Sequence, residues 1–177
     1  MRKELNVPLA DPQASAADFV ISRLFKAPRQ LVWNAWTDQA LLARWFGPKG
    51  TATVVESFDL RPGGMVHSRM DTPDGHRLWA RFLYREVVEP SRLVYVHGFA
   101  DAAANPAPSP FGGPWPMELL TTVVFEDEGD ATRMTLTWTP INASDEERAA
   151  FEASFTSMQG GWGGSFDQLD ELLAAGD

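Results

Sequence analysis

Three of the chain's seven tryptophans lie in one stretch, Leu31-Val-Trp-Asn-Ala-Trp-Thr-Asp-Gln-Ala-Leu-Leu-Ala-Arg-Trp-Phe-Gly-Pro48. Trp33 and Trp36 are three residues apart, so they share one face of a helix. Asp38 is a favourable N-cap for a second short helix, which Gly47-Pro48 then ends. The stretch therefore predicts two short helices with a dense aromatic face. That face needs a concave partner elsewhere in the chain.

The composition indicates one acidic, globular domain. The chain has 177 residues, of which 44% are hydrophobic, and its formal net charge is -9. The negative charge argues against a nucleic-acid partner and against attraction to an anionic membrane surface. No apolar run approaches the roughly 18 residues that span a bilayer. The absence of cysteine excludes disulfides and thiol nucleophiles, and it fits a cytoplasmic protein.

Seven segments have the alternation, or the β-branched and aromatic content, that is typical of strands. They are residues 18–25, 51–60, 65–70, 76–88, 92–99, 117–125 and 132–139. Tight turns such as Arg61-Pro-Gly-Gly64 and Thr72-Pro-Asp-Gly75 separate strands in the middle of the chain. Residues 1–17 lack periodicity and are predicted to be a flexible N-terminal arm, so residues 18–177 form the single domain.

A long amphipathic helix is predicted at the C-terminus, from Ser144 to about residue 174. Ser144 and Glu147 form a capping box at its start. Its apolar stripe consists of Phe151, Phe155, Met158, Trp162, Phe166, Leu169 and Leu173. Four glycines flank Trp162, namely Gly160, Gly161, Gly163 and Gly164. They indicate either a break in the helix or, as we prefer, a close approach of its backbone to the sheet or to the short helices.

The order of these elements predicts an α+β domain, because the helices are segregated from the strands. Six or seven consecutive antiparallel strands twist and curl, and the long helix finds apolar partners only on their concave side. Residues 100–116 hold five prolines and are predicted to be a long loop between two strands. Loops of this length often act as lids or binding loops, so we expect this one to gate a cavity together with the short helices.

Several motifs, taken in order, resemble one known family. They are Ala27-Pro-Arg-Gln-Leu-Val-Trp-Asn-Ala-Trp-Thr-Asp38, Trp45-Phe-Gly-Pro48, Phe58-Asp-Leu-Arg-Pro-Gly-Gly64 and Gly161-Trp162. The set looks like the activator of heat-shock-protein-90 ATPase homologue family, within the START and birch-pollen-allergen-like (SRPBCC) superfamily. The resemblance covers nearly the whole chain after the arm. It implies a helix-grip fold, in which a curved antiparallel sheet of six or seven strands wraps around a long C-terminal helix and encloses a cavity.

The resemblance implies several functions. Superfamily members bind lipids, hormones and polyketides, a few are cyclases, some form part of ring-hydroxylating oxygenases, and some modulate the chaperone. We favour non-catalytic binding of a hydrophobic or aromatic small molecule in the internal cavity, without a cofactor. Two alternatives stay open, a polyketide-cyclase-like or hydrolase enzyme and a chaperone-interacting or stress-response regulator. A homodimer and a chaperone contact are the further partners to test.

The candidate ligand-binding side chains are those expected to face the cavity from the strands and from the long helix. They are Phe58, Tyr84, Tyr95, His97, Trp138, Phe151, Phe155, Met158 and Trp162. Such a lining is apolar with a few polar groups, which is the usual composition of a small-molecule pocket.

The enzyme alternative needs an acid and a base, and four residues are candidates for these roles. They are Glu56, His67, Tyr84 and His97. Glu56 alternates with Val54 and Phe58, so it is a polar residue on an otherwise apolar strand face, and burial would shift its pKa toward neutrality. No metal site is expected, because the histidines lack the i, i+4 spacing of a helical zinc site. The sequence also has no nucleophile elbow and no phosphate-binding loop.

Overall fold

The computed structural model describes residues 18–176, so the arm predicted at residues 1–17 lies outside the described residues. In chain order the elements are β1 (Phe19–Phe25), α1 (Arg29–Thr37), α2 (Gln39–Trp45), β2 (Ala52–Phe58), β3 (Met65–Asp71), β4 (Arg77–Val88), β5 (Arg92–Phe99), β6 (Glu118–Glu128), β7 (Ala131–Ile141), α3 (Asp145–Ala153) and α4 (Phe155–Ala175). The predicted order of strand, two short helices, six strands and C-terminal helix is confirmed.

The seven strands form one antiparallel sheet with the order β1-β7-β6-β5-β4-β3-β2. Consecutive strands from β2 to β7 are neighbours, whereas β1 pairs with the last strand and places Phe19 opposite Trp138. The helices pack against one face of this sheet, which we call the inner face, and the opposite face is the outer face. The predicted α+β helix-grip architecture is therefore confirmed.

The aromatic face of α1 and α2 is buried against α4 and the sheet. The Trp36 ring lies 4.9 Å from that of Trp45 and 6.2 Å from that of Trp162, measured between centroids. The Trp36 indole N–H donates a hydrogen bond to Met134 Sδ at 3.1 Å. The Trp45 indole N–H donates to the Ala35 carbonyl at 2.8 Å. Both buried donors thus have partners, so this cluster avoids the cost of an orphaned polar atom.

The predicted helix caps are present. The Asp38 carboxylate accepts a hydrogen bond from the Leu41 backbone N–H at 3.0 Å and begins α2. Ser144 and Glu147 form the reciprocal capping box at the start of α3, with bonds of 2.9 and 3.1 Å. These caps define where the helices begin, and they could be predicted from the sequence because each involves only a few adjacent residues.

The C-terminal segment is two helices instead of one. α3 ends at Ala153 and α4 begins at Phe155, with Ser154 between them. The Ser154 hydroxyl donates to the Ala150 carbonyl at 2.9 Å, a local bond that competes with the regular helix ladder. The break thus precedes the glycine cluster, which lies inside α4. The interpretation of the glycines as a break is wrong.

The glycines of α4 border open space. A Cβ atom built on Gly160, Gly161 or Gly163 would meet no atom of another described element within 4 Å. At Gly164 the nearest such atom is the Lys49 nitrogen, at an ordinary contact distance of 3.8 Å. Our preferred interpretation, a close approach of the helix backbone, is therefore wrong for Gly160, Gly161 and Gly163, and at Gly164 the contact is an ordinary one with the segment that follows α2. The sequence showed where side chains are missing but not what lies opposite them.

The long loop at residues 100–116 is attached to the outer face where it begins. The His67 ring stacks on Trp79 with centroids 4.8 Å apart, and its Nε2 lies 3.0 Å from the Asp101 carbonyl oxygen, to which it donates. The Asp101 carboxylate accepts a hydrogen bond from the Asn105 backbone N–H at 2.9 Å. These contacts hold the first turn of the loop against β3 and β4.

Candidate functional site

An apolar cavity lies between the inner face of the sheet and α4, beside the segment that joins α2 to β2. Its volume is about 230 Å³. It is lined by Phe46, Gly47 and Pro48 from that segment, Thr53 from β2, Ser68, Arg69 and Met70 from β3, Leu78 and Ala80 from β4, His97 and Phe99 from β5, Trp138 from β7, and Met158, Gly161, Trp162 and Ser165 from α4. Most of these side chains are apolar, and a few polar groups lie among them, as in small-molecule sites generally.

Strand alternation explains which side chains of β3 and β4 reach the cavity. Ser68 and Met70 line it, whereas His67, one position away, contacts the loop on the outer face. The register partners of Ser68 and Met70 in β4 are Ala80 and Leu78, which line the cavity too. The small side chains of Ser68 and Ala80 leave room in front of this part of the sheet.

α4 forms one wall of the cavity, and the missing side chain of Gly161 leaves a gap in that wall. Met158, Trp162 and Ser165 are spaced by four and three residues and share one helix face. Gly161 borders the cavity on the same wall and has no side chain. Because a Cβ atom at this position would contact no other described element within 4 Å, the helix backbone itself faces the open space.

Several aromatic rings of the lining pack against one another or against neighbouring core rings. The Trp138 ring lies 5.5 Å from Trp162, with the two planes at 72°. Phe46 lies 5.6 Å from the same Trp162 ring at 84°. The His97 imidazole is 5.2 Å from Trp138 and 5.3 Å from Phe82. Such contacts are favourable aromatic geometries, so the lining is formed before any ligand arrives.

His97 borders the cavity as a neutral imidazole. Its burial lowers the pKa to about 4, because the charged form loses its hydration. Nδ1 is buried and has no hydrogen-bond partner among residues 18–176. An unpartnered buried polar atom costs about 1–3 kcal/mol, so this ring has unused hydrogen-bonding capacity beside the cavity.

Arg69 borders the cavity, but its side chain extends to the outer face, where two carboxylates compensate its charge. The guanidinium pairs with Glu56 and, at 3.1 Å, with Asp71. It also lies over the Trp79 ring, 5.7 Å from the centroid, on the outer face of the sheet. The lining residues therefore present no uncompensated charge to the cavity.

The nine side chains predicted to bind a ligand divide into two groups. His97, Trp138, Met158 and Trp162 line the cavity. Phe58, Tyr84, Tyr95, Phe151 and Phe155 lie in the hydrophobic core or against it and do not line the cavity. Ligand binding by any of the nine remains a prediction, and the geometry favours the first group.

The five residues outside the cavity are held by core contacts. Tyr84 and Tyr95 face each other across β4 and β5 with ring centroids 5.7 Å apart, and burial raises the pKa of both phenols. Phe151 packs on Trp115 at 5.7 Å, and Phe155 packs on Phe19 at 5.6 Å. These rings stabilise the fold on either side of the cavity. The sequence pattern placed them on the right face but could not say how far along that face the cavity extends.

The structure does not bring the four candidate acid–base residues together. β2 has a bulge between Val55 and Ser57, so Glu56 does not share the inner face with Phe58; it is exposed and pairs with Arg69. His67 contacts the loop on the outer face. Tyr84 and His97 alone remain on the inner side, and Tyr84 does not line the cavity. A bulge inverts the phase of every following side chain, and the sequence of β2 does not show it.

Several lining residues were missed by the sequence analysis. They are Phe46, Gly47, Pro48, Thr53, Ser68, Arg69, Met70, Leu78, Ala80, Phe99, Gly161 and Ser165. A signal was present for two of them, because Ser68 and Met70 alternate with His67 and Arg69 in β3. Gly161 was noticed but was assigned to backbone packing. The segment around Gly47 was assigned to a helix stop, and nothing in its residues indicates that it borders a cavity.

Two further kinds of feature are absent from residues 18–176. No group of three or more histidine, cysteine, aspartate or glutamate side chains is arranged to hold a metal ion in this range. Within the same residues, no helix has the length and apolarity to cross a bilayer.

The chain is similar to a known sequence family and to several solved structures. The family model described as "Activator of Hsp90 ATPase homolog 1-like protein" matches residues 26–174. A Mycobacterium smegmatis protein is 28% identical, with a TM-score of 0.73 over 89% of this chain and 90% of its own. An Arthrobacter aurescens protein is also 28% identical, with a TM-score of 0.76 over 93% and 90%. No curated protein matches the sequence.

More distant structures show the same fold. The AHSA1 protein of Silicibacter pomeroyi is 22% identical, with a TM-score of 0.66 over 90% of this chain and 99% of its own. At this identity the likeness concerns the fold alone.

Proposed function

Because the chain belongs to the Activator of Hsp90 ATPase homolog 1-like family, we propose that it binds a small hydrophobic or aromatic molecule in the cavity between the sheet and α4. The observation that supports this proposal most directly is a preformed cavity of about 230 Å³ with a mostly apolar lining. Burial of apolar ligand surface there is favourable by roughly 25 cal/mol per Å² removed from water. The protein acts by sequestering this molecule.

The size of the cavity limits the ligand. A dry cavity of about 150 Å³ is known to accept benzene, whereas drug-sized ligands occupy about 300–1,000 Å³. The present cavity lies between these values. We therefore propose a ligand of one or two rings, or an aliphatic molecule of similar bulk, instead of a lipid with long chains.

The separation of the four candidate acid–base residues supports a binding role over a catalytic one. His97 is the one titratable member of that set in the cavity lining, and Glu56 is paired with Arg69 at a distance from it. General acid–base catalysis needs such groups within hydrogen-bond reach of the reacting atoms. A chaperone contact, a homodimer and a cytoplasmic location remain predictions that this proposal does not require.

Two glycines of α4 provide a matched test. Gly161 borders the cavity and Gly160 is exposed beside it, and a Cβ atom built at either position meets no neighbouring described element within 4 Å. Gly161→Leu fills the cavity, whereas Gly160→Leu adds the same side chain toward solvent. Binding of tetralin, an apolar two-ring molecule, is measured through the fluorescence of Trp138 and Trp162 and by calorimetry.

The expected result is that the wild type and Gly160→Leu bind tetralin equally, while Gly161→Leu binds it at least about tenfold more weakly. Thermal unfolding of both variants checks that they fold. Equal affinity of Gly161→Leu and the wild type would contradict the proposed site, as would a failure of the wild type to bind any one- or two-ring probe.

A further inference from the structure

The His97 imidazole offers one polar atom to the cavity, and the structure indicates which one. The ring lines the cavity, yet Nδ1 is completely buried and unpartnered among the described residues. A ligand in the cavity therefore meets the ring at the edge that carries Nε2. The protonation of the two nitrogens decides whether this edge donates or accepts a hydrogen bond.

The burial of Nδ1 selects the tautomer. A buried N–H donor without a partner is rarely tolerated in proteins, whereas an under-satisfied acceptor is tolerated somewhat more often. The ring is neutral at physiological pH, so it carries a single proton. Placing that proton on Nε2 leaves a lone pair at the buried Nδ1 and presents an N–H donor to the cavity.

We infer that the ligand is an uncharged one- or two-ring molecule with a carbonyl or similar acceptor oxygen, which accepts a hydrogen bond from the Nε2–H of His97. This inference rests on the proposed binding function and names the chemical class of its ligand. An acceptor oxygen in an apolar surrounding satisfies the one donor that the ring directs into the cavity. The rest of the ligand contacts Trp138, Trp162 and Met158.

The charges of the site argue against an anionic ligand. A carboxylate in an apolar cavity needs a cation, because burial of an unpaired ion is strongly unfavourable. The Arg69 guanidinium is engaged by Glu56 and Asp71, and it lies against Trp79 on the outer face. The neutral imidazole of His97 does not supply the missing charge. Phenylalkyl or naphthyl carboxylates should therefore bind more weakly than ketones of the same size.

The test compares tetralin with α-tetralone, which adds one carbonyl oxygen to the same two-ring skeleton. His97→Phe removes the donor and keeps an aromatic ring, and His97→Gln retains an amide N–H donor near the position of Nε2. We expect His97→Phe to weaken α-tetralone binding by about three- to tenfold relative to whatever change it causes in tetralin binding. His97→Gln should restore much of the preference for the ketone.

Tetralin serves as the internal control for folding and for the cavity. If His97→Phe changes the affinities for tetralin and α-tetralone by the same factor, the inference is overturned while the proposed binding function stands. If neither molecule binds the wild type, the proposed function fails and the inference fails with it. A second readout needs no variant: proton–nitrogen correlation spectra of the imidazole should show the Nε2–H tautomer, and an Nδ1–H tautomer would overturn the inference.

Discussion

The indole rings of Trp36 and Trp162 stack on each other, with centroids 6.2 Å apart and planes inclined by 21°. Trp36 comes from the first short helix and Trp162 from the C-terminal helix, so this contact joins the two ends of the domain. Trp162 also lines the cavity, whereas Trp36 is buried behind it. The aromatic helix pair therefore supports the cavity from outside and does not form the binding surface.

Trp36→Ala should be among the most destabilising single substitutions in this chain. It removes a buried ring and its hydrogen bond to Met134 Sδ, and it leaves a void under Trp162. Truncation of a buried tryptophan costs roughly 3–5 kcal/mol of unfolding free energy. Urea unfolding measures this loss. Trp79→Ala, at a half-buried ring on the outer face, is the control, and an equal loss at both positions would contradict the assignment of Trp36 to the core.

Two glycines should respond to alanine with opposite signs. Gly160 lies in the interior of α4, is exposed and has open space around it, so Gly160→Ala should stabilise the protein by up to about 1 kcal/mol. Gly47 has φ +116°, and a Cβ atom there would lie 2.9 Å from Met70 Cε and from Thr51 Oγ1. Gly47→Ala should destabilise by about 1–3 kcal/mol.

Thermal and urea unfolding of both glycine variants measure these changes. A loss of stability in Gly160→Ala would mean that the helix at this position is distorted or covered. A gain in Gly47→Ala would mean that the segment between α2 and β2 adopts another backbone conformation.

The strands and helix caps were predictable from sequence, because their signals are local. In β7, Met134, Leu136 and Trp138 alternate with polar residues, and this pattern alone located the strand within two residues at either end. The cavity was less predictable, because it depends on which side chains are absent from facing elements. Gly161 and Ala80 leave space only because of where α4 and β4 lie relative to each other.

Single insertions also limit what the sequence can show. Alternation placed Glu56 and Phe58 on one face, the bulge in β2 puts them on opposite faces, and no residue of that strand indicates the bulge. The break at Ser154 has the same character, since serine is compatible with a helix interior and with a helix end. The bulge accounts for the wrong placement of Glu56, whereas the other errors in the predicted site came from the unknown extent of the cavity, and the topology was correct.

The stability of the domain should fall between pH 7 and pH 5 because of His97. Its pKa is about 4 in the folded protein, as a result of burial, against the ordinary value of 6.5. The unfolded chain therefore binds more protons in this interval, and acidification favours unfolding. The free energy of unfolding should fall by roughly 2 kcal/mol between pH 7 and pH 5. The contribution of His97 is fully present only above the ordinary pKa of histidine.

His97→Phe should flatten this part of the pH profile, because the titrating group is gone. The interval lies above the ordinary pKa of carboxylic acids, about 4, so aspartate and glutamate contribute little to it. Urea unfolding at pH 7, 6 and 5 measures both proteins. An equal pH dependence in the wild type and in His97→Phe would show that the imidazole is not buried in the folded state.

Phe111 should control the rates of ligand exchange more than the affinity. It lies in the proline-rich loop, its side chain is 75% exposed, and its ring is 6.2 Å from that of Phe99, which lines the cavity. A side chain at the border of a site can hinder entry and exit without contacting a bound molecule. Phe111→Ala should therefore accelerate both association and dissociation of tetralin, by about threefold or more, and leave Kd within about twofold.

Stopped-flow tryptophan fluorescence measures both rates. Val88→Ala removes an exposed apolar side chain that does not line the cavity and is the control. Unchanged rates in Phe111→Ala would show that the loop does not gate the cavity.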